Sequence, residues 1–255
     1  SITFNGKDLT EEAITRFGHT LGHRIRHLDI IAITHRKYDL LLSFCPNLES
    51  LGSGYCLELE RIATEEEFVP KLERISEIYF YYFQQNEKLF KNFVDKYEKS
   101  LKEISMSVDF HEDFDFENLF RLSNLEDLVF QHKASILSAD LDANARTVND
   151  LDGMALKLPK LKKVSLQLSN VHHHADIYRI FNGCQELRFL KLSCFKCHFI
   201  EPSATIQPLK TLKKLSITAN ISSDNLIEKL SLFAPKLKIL ELNGYLKSPH
   251  NPLKY

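Results

Sequence analysis

Two groups of residues have the types and spacing that could hold a metal ion or a haem. Cys194-Phe195-Lys196-Cys197-His198 has the spacing of a c-type haem attachment, and His172, His173 and His174 form a run of imidazoles. Both follow predicted strands of neighbouring segments, so thiolates and imidazoles could meet there and bind zinc. Cys197, however, falls in an apolar position, and a c-type haem needs a small helical fold. We therefore predict no metal and no haem, with structural zinc as the open alternative.

The sequence assembles no recognisable catalytic site. Its eight glycines are scattered and form no phosphate-binding loop, and no serine stands in a nucleophile elbow. No carboxylate pair has the spacing expected in a predicted pocket, although a triad of distant residues could still meet in space. We expect a protein that is not an enzyme and that uses no cofactor.

A short strand pattern recurs along the chain and must position any functional residue. Leucine or an equivalent residue stands at the first, fourth and sixth positions of nine segments. These segments begin at Ile25, Leu48, Leu72, Leu101, Leu125, Leu161, Leu187, Leu212 and Leu237. The intervals between them are 23, 24, 29, 24, 36, 26, 25 and 25 residues, which mostly match the period of leucine-rich repeats.

Strand geometry explains this pattern. Side chains alternate between the two faces of a strand, so positions four and six are buried together while position five points away. Apolar residues at helical spacing lie between the strands, at Tyr38–Phe44, Leu89–Tyr97, Phe116–Phe120, Ile177–Phe181 and Leu226–Phe233. The pattern predicts an α/β solenoid of about nine strand–helix repeats, with a curved parallel sheet on the concave face. The third strand is the least secure, because Glu77 takes an inward position.

An apolar column precedes the strands and supports this register. Three residues before the first anchor stand Cys45, Val69, Leu122, Leu158, Cys184, Leu209 and Ala234. Prolines follow four of them, at positions 46, 70, 159 and 235, where they would end the returning helix. We expect Cys45 and Cys184 to be core thiols too far apart in the array to form a disulfide.

Several segments resemble a known family. "LLLSFCPNLESLGSGYC", "FNGCQELRFLKL" and "LFAPKLKILEL" look like the cysteine-containing, ribonuclease-inhibitor-like repeats in the substrate-recognition arms of F-box proteins of ubiquitin ligases. The opening "LTEEAITRFGHTLGHRIRHLDI" is similar to the segment that follows the F-box in such arms. The resemblance implies a substrate-recognition arm, with a ligase adaptor bound through a segment upstream of Ser1. A repeat scaffold or adaptor without a ligase link is the alternative.

The repeat predicts one domain over residues 1–255. Residues 1–24 are predicted as an N-terminal capping helix, and residues 243–255 as a C-terminal cap or tail. The interval of 36 residues after Leu125 exceeds its neighbours, which places an inserted loop at residues 132–150.

Composition points to an intracellular protein. No run of residues approaches the length of a membrane span, and no signal segment opens the sequence. The five cysteines are odd in number and lie away from the ends, unlike the paired cysteines that close secreted repeats. We expect a cytoplasmic or nuclear address and no membrane contact.

Charge is distributed unevenly along the chain. Residues 1–150 hold 17 Lys and Arg against 27 Asp and Glu, whereas residues 151–255 hold 16 against 7. The basic half could bind an acidic or nucleic-acid ligand, although we consider nucleic acid the less favoured partner. The alternative is that the lysines only keep the sheet solvated.

The predicted partner-binding residues lie on the outward face of three strands in the basic half. They are Lys163, Ser165, Gln167, Lys191, Ser193, Lys214, Ser216 and Thr218. Three lysines on consecutive strands, with small hydroxyl neighbours, predict a cationic patch for an acidic or phosphorylated segment of a protein partner.

Overall fold

The computed structural model describes most of the strands and helices of the chain. The described residues are 2–5, 9–31, 34–52, 54–55, 63–65, 69, 71–81, 83–109, 116–132, 154–168, 174–177, 181–182, 184–198, 207–222, 226–244 and 246–247. The chain divides into two compact units, Ser1–Val108 and Asp109–Tyr255. The prediction of one repeat domain over 1–255 stays a prediction.

The first unit alternates strands with helices. Its elements are β1 (Ile2–Asn5), α1 (Glu11–Leu21), a 3-10 turn (Gly22–Arg24), β2 (His27–Ile31), α2 (His35–Ser43), β3 (Ser50–Leu51), β4 (Gly54–Tyr55), β5 (Arg74–Tyr81), α3 (Phe83–Tyr97) and β6 (Glu103–Asp109). The strand order is β1-β2-β3-β5-β6, and β4 pairs with β5. Thr10 caps α1, because its hydroxyl accepts a hydrogen bond from the Ala13 amide at 3.2 Å.

The second unit also consists of parallel strands and short helices. Its elements are α4 (Phe116–Phe120), β7 (Asp127–His132), α5 (Met154–Lys157), β8 (Lys163–Leu168), β9 (His174–Asp176), β10 (Phe189–His198), β11 (Lys214–Ser222), α6 (Leu226–Phe233), β12 (Ile239–Asn243) and β13 (Leu246–Lys247). The order is β7-β8-β10-β11-β12, with β9 beside β10 and β13 beside β11. The register of β10 against β11 shifts between Ser193 and Lys196.

Every pairing whose register the structure describes is parallel. This confirms the predicted α/β class with a parallel sheet. One backbone arrangement recurs in both units: the carbonyl of the second position of a segment accepts two amides from the next segment. Glu49 accepts from Glu73 and Arg74 at 2.8 and 3.1 Å, and Arg188 accepts from Lys213 and Lys214 at 2.9 and 3.1 Å. The arrangement fixes adjacent strands in register.

Most of the predicted anchor residues lie in the core of their unit. The first and fourth anchors are buried in the first eight segments, from Ile25 and Leu28 to Leu212 and Leu215. Leu166, Leu190 and Leu215 are at most 1% exposed, as the strand pattern predicts. The last segment differs, because Leu240 is 36% exposed although it pairs in register with Leu215.

The apolar column before the strands is buried as predicted, from Cys45 at 0% to Ala234 at 2% exposure. Its carbonyls close the turn that leads into each strand. The Leu48 amide donates to Cys45 at 3.2 Å, and the Leu187 amide donates to Cys184 at 3.4 Å. The column therefore anchors the start of each strand.

The ends of the chain contain strands that the sequence did not predict. The segment 1–24, expected to be a capping helix, begins with β1, whose Ile2 and Phe4 align with Leu28 and Ile30. The tail 243–255 begins inside β12, and β13 pairs with β11. Of the predicted insert 132–150, His132 belongs to β7 and the rest lies outside the described residues.

The strand expected to be least secure, β5, is present over eight residues. Its residue Ile75 is 1% exposed, whereas the side chain of Glu77 lies outside the described part.

Among the helices that the structure describes, none has both the length and the apolar character to cross a bilayer.

Candidate functional site

The eight predicted partner-binding residues lie side by side on β8, β10 and β11. The register aligns Ser165 with Lys191 and Ser216, and it aligns Gln167 with Ser193 and Thr218. Alternation turns these side chains away from the buried anchors between them. We call this set, Lys163, Ser165, Gln167, Lys191, Ser193, Lys214, Ser216 and Thr218, the polar face.

The polar face is not uniformly exposed. Lys163, Gln167, Lys191 and Thr218 are exposed, and Ser165, Ser193 and Lys214 are half-buried. Ser216 is only 6% exposed, because it lies between Lys191 on β10 and Glu241 on β12. A partner would therefore meet the long side chains first.

Lys163 is paired with an acid on the neighbouring strand. Its Nζ lies 2.5 Å from Oδ2 of Asp127, the residue aligned with it on β7. The side chain of Lys163 remains 64% exposed and that of Asp127 23% exposed. The pair neutralises one end of the predicted cationic patch.

Lys214 is paired at the opposite end of the polar face. Its Nζ lies 2.7 Å from Oε1 of Glu241 and 5.8 Å from the centre of the Phe189 ring. The hydrogen bond from Lys214 holds the pKa of Glu241 below its usual value, helped by a hydrogen bond from Ser216 and by the charge of Lys191. The negative form of Glu241 is thus favoured.

Lys191 stands between these two ion pairs. It is exposed and makes no ion pair with a residue that the structure describes. In the predicted patch of three lysines, the two outer ones, Lys163 and Lys214, are therefore paired with acids, and Lys191 is the central cation. Lys191 therefore supplies most of the uncompensated positive charge of the polar face.

Sequence reasoning overlooked three residues of this surface. Phe189 lies between Lys163 and Lys214, because all three occupy the third position of consecutive segments. Asp127 and Glu241 flank the face on β7 and β12. Aligning all nine segments at their first anchors, rather than selecting the cationic and hydroxyl residues of three, would have identified them.

The structure places the metal candidates on adjacent strands. His174 aligns with Lys196, and His198 aligns with Asp176 where β9 pairs with β10. Cys194 is buried, whereas His172 and His173 lie outside the described residues. In the described ranges no three His, Cys, Asp or Glu residues form a group that could hold a metal ion. The prediction of no metal stays a prediction.

The two core thiols behave as the sequence suggests. Cys45 and Cys184 are fully buried and form no disulfide. Burial raises the pKa of Cys45 to about 11 and that of Cys184 to about 12. Such thiols are protonated at neutral pH and are poor nucleophiles or metal ligands.

The polar face presents groups that could make charge, hydrogen-bond and aromatic contacts with a bound molecule. It offers one central cation and hydroxyl and amide groups that donate and accept hydrogen bonds, and the half-buried ring of Phe189 lies beside it. These groups occupy three aligned rows on neighbouring strands. A scan against protein-family models and a search of the curated proteins found no match for this chain.

Proposed function

We propose that this chain is a non-catalytic leucine-rich-repeat module that binds a protein partner through the polar face. The observation that carries the proposal is the register of β8, β10 and β11, which brings eight polar residues from three separate segments into one surface. A surface assembled from consecutive strands suits an extended segment of another protein.

The repeat architecture rests on three regularities. Nine anchor sets recur along the sequence, mostly at intervals of 23 to 29 residues. The first and fourth anchors are buried in the first eight sets. The second position repeats its paired backbone hydrogen bonds in both units. Together these features support a solenoid of about nine strand–helix repeats with its sheet on the concave side.

The resemblance to F-box arms supports a more specific proposal. The chain would be the substrate-recognition arm of a ubiquitin-ligase subunit, and the adaptor would bind a segment upstream of Ser1. A scaffold without a ligase link would use the polar face in the same way. The buried thiols Cys45 and Cys184 suit the reducing cytoplasm or nucleus.

A capture experiment with matched variants tests the proposal. The 255-residue chain is immobilised beside a variant carrying Gln167→Glu, Lys191→Glu and Thr218→Glu on the polar face. A control variant carries Lys88→Glu and Lys91→Glu on the exposed side of α3. Proteins retained by the wild type and the control, but lost from the first variant, are partners of the polar face.

The expected loss has a physical reason. The substitutions remove Lys191, the cation of the polar face without an ion pair, and add three negative side chains. An acidic segment of a partner is therefore repelled. Retention of the same proteins by all three chains would overturn the assignment of the surface. The F-box adaptor is added in a separate arm, and its capture by this 255-residue chain would place the docking element inside the chain.

A further inference from the structure

The second position of every predicted segment carries a charged residue. In chain order these are Arg26, Glu49, Glu73, Lys102, Glu126, Lys162, Arg188, Lys213 and Lys238. Each stands immediately before its strand, and the first anchor beside it is buried in the first eight segments. None of them belongs to the polar face. The recurrence suggests a separate charged surface along the start of the strands.

Side chains at the second position reach their neighbours on adjacent segments. Arg26 pairs with Glu49 in the first unit, and Lys102 Nζ lies 2.8 Å from Glu73 Oε2. In the second unit, Lys162 Nζ lies 2.7 Å from Glu126 Oε2. Every cation at this position up to Lys162 therefore has an acid within ion-pair distance on the preceding or following segment.

The last three segments differ, because their second-position cations have no such acid beside them at that position. Arg188, Lys213 and Lys238 are all exposed, and none makes an ion pair with a residue in the described ranges. They are direct neighbours, because the Lys213 amide donates to Arg188 O at 2.9 Å and the Lys238 amide donates to Lys213 O at 2.8 Å. We call these three residues the basic column.

Like charges on adjacent strands repel one another, so the basic column opposes its own packing slightly. A binding partner that supplies three negative charges removes this repulsion and forms ion pairs at the same time. We propose that the basic column binds the acidic face of an α-helix in a protein partner, which rests on the proposed protein-binding function.

The spacing favours a helix. Adjacent strands lie about 4.8 Å apart, so the three backbone positions of the basic column span roughly 10 Å. Acidic residues at i, i+4 and i+7 of a helix lie on one face and span about 10.5 Å at 1.5 Å per residue. A helix lying across the strands can thus place one carboxylate at each cation, and Arg188 can hold its carboxylate through two parallel hydrogen bonds.

A nucleic acid fits this surface less well. The basic column supplies three cations, whereas DNA-binding proteins with strongly salt-dependent affinity neutralise roughly six to ten phosphates. Acidic residues also border the column, with Glu126 paired to Lys162 on the segments before it and Glu186 two residues from Arg188. A phosphate backbone would run into these carboxylates.

A synthetic peptide provides the test. The probe is a helical alanine-based peptide with Glu at i, i+4 and i+7, and its reference has Gln at those three places. Binding to the 255-residue chain is measured by fluorescence anisotropy at low salt, with helicity checked by circular dichroism. The Glu peptide should bind roughly tenfold more tightly than the Gln peptide, because three exposed ion pairs that each strengthen binding about twofold multiply to nearly that factor.

Matched variants locate the binding surface. Arg188→Gln, Lys213→Gln and Lys238→Gln together should abolish the tenfold preference and its salt dependence. Lys71→Gln, Lys88→Gln and Lys91→Gln remove the same charge from the first unit and should leave the preference intact. A preference equally strong in both variants would overturn the proposal, as would a third peptide with its three Glu residues spread around the helix binding as well as the probe.

Two further measurements separate the alternatives. A 20-base-pair DNA duplex that binds more tightly than the Glu peptide, and loses this affinity in the basic-column variant, would overturn the helix in favour of nucleic acid. The polar-face variant Gln167→Glu, Lys191→Glu and Thr218→Glu should still prefer the Glu peptide, although its added negative charge repels that peptide and lowers the preference. If the polar-face variant lost the captured protein partners, the basic-column variant kept them, and the wild type showed no preference for the Glu peptide, the proposed function would stand and this inference would fail.

Discussion

The two compact units share one pattern of backbone hydrogen bonds at the second segment position but differ in how the charges at that position are paired. In the first unit the cations Arg26 and Lys102 each pair with an acid at the same segment position. In the second unit the sequence of charges ends in three cations, Arg188, Lys213 and Lys238, with no acid among them. The carbonyls at this position accept the same paired backbone hydrogen bonds in both units.

The comparison separates the buried anchors, which stabilise the fold of both units, from the second-position charges, which differ between them. Exposed ion pairs contribute only about 0 to 1 kcal/mol each, so the sign of the second-position charge has little influence on folding. The buried anchors beside them are leucine or another apolar residue in both units. The charge pattern can therefore vary without loss of the fold, which leaves it available for the binding proposed above.

The largest expected effect tests whether the cores of the two units are equivalent. Leu101→Ala in the first unit and Leu187→Ala in the second remove side chains that are both 0% exposed. Each should lower the free energy of unfolding by roughly 2 to 5 kcal/mol, because it leaves a cavity in a packed column. Urea unfolding followed by circular dichroism measures both.

Leu240→Ala serves as the control for these variants. Leu240 occupies an anchor position but is 36% exposed, so its truncation should cost about 1 kcal/mol or less. An equal loss at Leu240 and Leu187 would mean that the last segment is covered in solution. A negligible loss at Leu101 alone would show that the two cores differ.

The next effect concerns the equivalent thiols Cys45 and Cys184, one in each unit. Burial raises their pKa values from 9.0 to about 11 and about 12. Above pH 9 the unfolded chain loses these protons before the native protein does. Stability should therefore fall as the pH rises from 9 towards 11, by at most about 1.4 kcal/mol per pH unit for each thiol.

Alanine variants isolate this contribution from other groups that titrate at alkaline pH. Cys45→Ala and Cys184→Ala should each flatten the decline of the unfolding free energy between pH 9 and 11 by a similar amount. Cys184→Ala also loses a weak contact with the Leu161 carbonyl at 3.8 Å, which lowers stability at every pH. Rapid reaction of either native thiol with a thiol reagent at pH 8 would contradict the burial.

Periodicity predicted the parts of the fold that depend on repeated burial. Positions one, four and six of a segment must avoid water together, so Leu187, Leu190 and Leu192 could be placed from their spacing alone. The strand β1 could not, because its apolar residues Ile2 and Phe4 are too few to show a period. The pairing of β13 with β11, rather than with β12, depends on tertiary contacts that no local pattern encodes.

The residues of the candidate surface could be proposed from the sequence, whereas their electrostatics could not. Strand alternation predicts that Lys163, Lys191 and Lys214 share one face, and the register aligns the strands that carry them. It could not show that Asp127 and Glu241 would neutralise two of them, because these acids belong to flanking segments and reach the lysines through side-chain rotamers. The basic column was visible in the sequence, but its importance depends on knowing which earlier charges find partners.

The smallest expected effect tests the charge comparison itself. Arg188→Glu would place an acid between Lys162 and Lys213, which gives the second unit the compensation seen in the first. It should raise the free energy of unfolding by roughly 0.2 to 1 kcal/mol at low salt, because repulsion between neighbouring strands becomes attraction. Lys102→Glu is the mirror change in the first unit and should lower stability by a similar amount, since it removes the pair with Glu73 and leaves three acids in succession. Both shifts should shrink towards zero in about 1 M salt, where the screening length is about 3 Å.

Chemical unfolding in urea, which carries no charge, measures the two variants at both salt concentrations. Shifts of the same sign, or shifts that survive high salt, would mean that packing rather than charge distinguishes this position in the two units.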